Sequence, residues 1–117
     1  MRYMLLIHGS EDGWDALSEA ERAAQYERYG KLQRTMEEHG HYVGGDELDS
    51  AASAKLVRVR EGETLVSDGP FIETKEQLGG HFTVECDLET ALAYAAEIPA
   101  AEGGTIEVRP IVESPEA

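Results

Sequence analysis

Three residues carry the chemistry this chain could do: His8, Asp68 and His81. An imidazole exchanges protons near neutral pH and a carboxylate accepts them. The set therefore suits acid–base work on a small organic substrate without a metal. Each residue also has a plainer role. Asp68 opens Asp68-Gly69-Pro70, where Asp bonds its own backbone, Gly supplies positive φ and Pro fixes the next φ. His8 ends one strand-like run and His81 begins another, positions where a histidine bonded to a nearby loop is simply tolerated. Thr83 shares a strand face with His81 and joins Arg58 as a candidate ligand-binding residue. Arg58 and Arg109 suit an anionic ligand, and salt bridges to the many local carboxylates explain them equally well.

The remaining reactive side chains point to structure. His39 and His41 lack a second ligand pair at a metal-binding spacing, so they read as an exposed helix end and no metal is expected. Cys86 alternates onto an apolar strand face and reads as buried and inert. Tyr26 and Tyr29 read as core aromatics. The chain has no P-loop, no dinucleotide fingerprint after a strand and no nucleophile elbow, and no cofactor is expected.

The elements that must position these residues follow from periodicity. Met1–His8 is a nearly continuous apolar run, as in a central strand. Tyr3, Leu5 and Ile7 point one way, and Met4, Leu6 and His8 the other. Residues 9–15 read as a polar loop around Trp14. Ser18 and Glu21 form a capping box, which predicts a helix from there to about Glu38, stopped by Gly40. Tyr26, Tyr29, Leu32 and Met36 share one face of it. Gly30 weakens this helix by about 1 kcal/mol relative to Ala.

His41-Tyr42-Val43 reads as a short strand ended by Gly44-Gly45, followed by loop to Ser53. Lys55–Arg60 and Glu63–Ser67 predict a hairpin across Glu61-Gly62. Residues 67–80 form a connection long enough to demand a reason, either a ligand lid or a subunit contact. His81–Cys86 alternates, with Phe82, Val84 and Cys86 on one face. Asp87 caps a second helix carrying Leu88, Ala91, Leu92, Ala95 and Ile98, and Pro99 ends it. Residues 105–112 form the last strand and 113–117 a frayed tail.

The order is β-α-β, an inserted hairpin, then β-α-β, in one α+β domain spanning residues 1–117. Two helices cover only one face of a four-stranded sheet. The other face must meet water or a second sheet, and a second copy packed sheet to sheet would roof a pocket there.

With 117 residues, the chain holds one core and not two. Ten basic residues against 24 acidic ones give a net charge of −14. Such a surface repels phosphate backbones and anionic lipid, so neither nucleic acid nor membrane is an expected partner; the charge serves solubility first. No apolar run is long enough to span a bilayer, and the N-terminus reads as a strand rather than a signal peptide. A single cysteine permits no internal disulfide, and a reducing cytoplasm is the expected location.

Around Asp68-Gly69-Pro70-Phe71 the chain resembles the YCII-related family, in its DGPF-domain branch. The resemblance extends over Met1–Ile7, Val43-Gly44-Gly45, Asp68–Gly80, Ile98–Ala101 and Gly103–Pro110. It implies a ferredoxin-like fold paired into a dimeric α+β barrel, and bacterial, cytoplasmic occurrence. Some relatives are associated with extracytoplasmic-function sigma factors. Members of the wider family have been proposed as enzymes using a paired His and Asp, with that His in the region of Ala23-Ala24-Gln25-Tyr26. No histidine stands there, and the pair is not carried over. Two functions are therefore expected to compete: a homodimeric small-molecule-binding or enzyme-like barrel, and a non-catalytic interaction module serving a sigma factor.

Overall fold

The structure is a computed structural model that describes residues 1–72 and 74–114. Its strands are β1 (Arg2–Gly9), β2 (Tyr42–Glu47), β3 (Lys55–Arg60), β4 (Glu63–Asp68), β5 (Gln77–Glu85) and β6 (Thr105–Pro110). Its α-helices are α1 (Glu11–Asp15), α2 (Glu19–Glu38) and α3 (Leu88–Glu97). Four strands form one sheet in the order β2-β5-β1-β6, every adjacent pair antiparallel. Together with α2 and α3 this is an α+β architecture consistent with a ferredoxin-like fold.

Both long helices form where the sequence predicts. Ser18 Oγ accepts from the Glu21 amide while the Glu21 carboxylate accepts from the Ser18 amide, so two otherwise unpaired donors are satisfied at once. Gly40 adopts φ +72° after α2, in the left-handed region that glycine tolerates best. Asp87 Oδ1 accepts from the Thr90 amide at 2.7 Å and caps α3. Both helices lie on one sheet face. Tyr3 and Leu5 of β1 and Phe82 and Val84 of β5 pack there against Leu32 and Met36 of α2 and Ala91, Tyr94 and Ile98 of α3.

Three readings need correction. Residues 11–15 are a short helix capped by Ser10, not loop. β2 does not stop at Gly44-Gly45 but runs on to Glu47. The reason lies in the close approach of the chains: a Cβ on Gly45 would meet the His81 carbonyl oxygen at 2.7 Å and the Phe82 ring at 2.8 Å. The glycine lets β2 pair with β5 rather than ending the strand. Tyr26, Leu88 and Leu92 are half-exposed rather than in the core. Tyr94 fills the α3 side in place of the two leucines.

The hairpin forms as predicted. Glu61 (φ 51°) and Gly62 (φ 79°) make its two-residue turn, and Val57 pairs with Val66. It constitutes a separate two-stranded sheet, an arm outside the main one. The whole chain is thin, 48 × 46 × 17 Å. Of the expected frayed tail 113–117, the last three residues lie outside the described part, as does Glu73 of the long connection.

Candidate functional site

The ladder fixes which side chains share the face away from the helices. Leu6 pairs with His81 on one side and Glu107 on the other, and His81 in turn pairs with Asp46. Met4 pairs with Thr83 and Arg109. With period-2 alternation, this face carries Met4, Leu6 and His8 of β1, His81 and Thr83 of β5, Asp46 of β2, and Glu107 and Arg109 of β6. Met4 and Leu6 are half-buried at its centre, and the polar groups ring them.

The groups with chemical reach meet at one end of β1. His8 Nε2 lies 3.1 Å from Glu107 Oε1. The other carboxylate oxygen of Glu107 lies 3.6 Å from Arg109 Nε. The His8 side chain is 30% exposed, so it is held by its partner yet open to a ligand. When Nε2 donates to Glu107, Nδ1 keeps the lone pair that can take a proton. Glycine makes this corner possible. A Cβ on Gly104 would fall 2.3 Å from the His8 carbonyl oxygen, so only glycine lets the turn before β6 pack against His8.

His8 and His81 share the open face but are offset: His81 stands opposite Leu6, whereas His8 stands opposite Leu78. Thr83 lies on the same face, opposite Met4, and is 9% exposed. Asp68 is elsewhere. It closes β4 at the root of the arm, where Lys55 Nζ donates to its Oδ1. The adjacent Gly69 amide donates to the Ala54 carbonyl at 2.8 Å, which ties the Asp-Gly-Pro turn to the start of β3. Arg58 sits on the arm with its guanidinium 5.9 Å from the centre of the Phe71 ring.

Two shallow grooves flank the connection after the arm. One, of about 500 Å³, is lined by Glu11, Asp12, Ala51, Pro70, Thr74, Lys75 and Gln77. The other, of about 440 Å³, is lined mainly by Leu48, Leu56, Pro70, Phe71 and Leu78. Leu78, the cross-strand partner of His8, is thus also a groove wall.

Sequence reasoning missed Glu107, although Thr105, Glu107 and Arg109 alternate with Ile106 and Val108 and so declare a polar face. It also missed Tyr26, whose hydroxyl donates to Glu47 Oε2 at 2.8 Å while its ring meets Trp14 edge-on at 5.4 Å. The hydrogen bond to Glu47 raises the Tyr26 phenol above its ordinary pKa. Away from this site, the His41 ring bonds the Tyr94 hydroxyl at 2.7 Å and stacks on His39. Burial pushes the Cys86 thiol up, so it is a poor nucleophile. Among the described residues, no group of three or more His, Cys, Asp or Glu side chains is arranged to hold a metal ion. None of the described helices is long and apolar enough to cross a membrane.

A protein of Rhizobium meliloti (strain 1021), named Uncharacterized protein R00369, is 35% identical over 114 residues, covering 95% of this chain and 92% of its own length. The model of the YCII-related domain matches residues 1–115, essentially the whole chain, and the protein belongs to the YCII-related family.

Proposed function

We propose that the protein is a homodimeric small-molecule-binding barrel, enzyme-like in its polar groups, whose site is the open sheet face. The observation that carries this reading is the 3.1 Å contact between His8 and Glu107 on the face away from the described helices. An imidazole oriented by a carboxylate is the arrangement general base catalysis uses. Nδ1 of His8 takes the proton of a small organic substrate, and Glu107 stabilises the imidazolium that results. His81 and Thr83 contact the ligand from the neighbouring strand. Arg109 steadies Glu107 and draws anionic ligands. Asp68, paired with Lys55, acts at the rim as a polar group of the arm's root. A second copy roofs the face, because a half-covered sheet with Met4 and Leu6 at its centre gains by excluding water.

A library of small polar metabolites, added to isotope-labelled protein, tests this by amide shift changes. The expected changes cluster on β1, β5 and β6 around His8, His81 and Glu107. They weaken at least tenfold in Glu107→Gln while the other amide signals stay in place. Library members that bind only away from the open face, or not at all, would transfer the reading to a non-catalytic interaction module.

A further inference from the structure

Among the described residues, the arm has no strand partner in its own protomer. β3 and β4 pair only with each other, and all six residues of β4 are exposed. A two-stranded ribbon is marginal in water without a surface to lie on. Its two faces differ. Leu56 and the neighbouring Phe71 turn toward the groove of their own chain. The opposite face carries Val57, Val59 and Val66, which remain 64%, 60% and 65% exposed. Three adjacent β-branched side chains left this open are an interaction strip.

We propose that this valine strip lies on a second copy of the chain, against the open-face surface around Met4 and Leu6, so that each protomer's site is walled by the other's arm. This rests on the open-face homodimer proposed above and adds the element that closes it. Charge does not stop the arm from reaching a second copy. The arm, residues 55–68, carries three basic and three acidic residues, so the rest of the chain holds all of the net charge of −14. Two such bodies repel, and the neutral arm is the part of one that approaches the other without that cost. The same chain supplies both an uncovered strip and a half-buried apolar centre on the open face, and a two-fold axis satisfies both pairs at once.

The test is the double variant Val57→Lys with Val66→Lys, both on side chains that the protomer leaves more than half exposed. With the far-UV spectrum unchanged, the concentration at which light scattering reports two-chain mass is expected to rise at least tenfold. Unchanged association overturns the arm's role. Leu6→Lys then separates the two readings: if it splits the pair, the open-face dimer stands without the arm. A wild-type protein that scatters as one chain at every concentration overturns both. Hydrogen exchange gives a reading that needs no variant. Amides of residues 55–68 should exchange more slowly in concentrated than in dilute protein, and rates independent of concentration overturn the proposal.

Discussion

Replacing Glu107 by Gln keeps the shape of the His8 partner and removes its charge, so ligand binding or turnover should fall while thermal stability stays near that of the wild type. Gly104→Ala acts oppositely. Its methyl would sit 2.3 Å from the His8 carbonyl oxygen, a backbone atom that cannot step aside, so the melting temperature should drop by several degrees. A calorimetric scan of each variant distinguishes them, and equal stability for both would contradict the close packing at this corner. The sequence revealed the shared face of His8 and His81 because alternation in a strand is strict. It could not reveal that Glu107, 99 residues away, would reach His8, because a contact between strands depends on register. Tyr26 kept helical spacing with Leu32 and Met36 yet bonds to Glu47 instead of entering the core, since periodicity gives a direction but not where the facing sheet ends.

The helices owe their ends to side-chain caps, which makes their stability sensitive to acid. The hydrogen bond to Thr90 holds the Asp87 carboxyl below its ordinary pKa, and the backbone bond to Ser18 does the same for Glu21. A carboxyl with a depressed folded pKa contributes stability above its unfolded pKa and loses it as pH falls through the folded one. Asp87→Asn retains an acceptor for the cap but cannot titrate. Its melting temperature should therefore decline less than that of the wild type as pH falls below about 4. Parallel declines would mean that the cap charge does not matter. Ser18→Ala removes the hydroxyl that accepts from the Glu21 amide, leaves the backbone donor to the Glu21 carboxylate, and should cost about 1 kcal/mol in urea unfolding. Capping, the glycine stop and the hairpin turn were legible because each is a local event. The extent of β2 was not, because Gly44-Gly45 reads as a break until β5 supplies a carbonyl at the Cβ position of Gly45.

At the scale of the molecule, a thin layered body presents one open sheet face and an arm whose strands pair only with each other among the described residues, and we propose that a second copy covers both. Met36 is fully buried between α2 and the sheet, and truncating it to Ala should cost roughly 2–5 kcal/mol, which would show that one protomer has its own core. Association should strengthen with salt. At about 10 mM the Debye length is roughly 30 Å and two bodies of charge −14 repel across the seam, whereas at about 150 mM it is roughly 8 Å. The layer order was legible from the β-α-β pattern, since two amphipathic helices suffice for only one face. The arm's isolation was not, because a hairpin pattern does not say what lies beneath it. Light scattering of the wild-type chain at physiological salt, beside Leu6→Lys, decides whether the open face pairs. Twice 12.8 kDa is expected for the wild type and 12.8 kDa for the variant. A wild type that stays at 12.8 kDa, or a variant that stays paired, would contradict it.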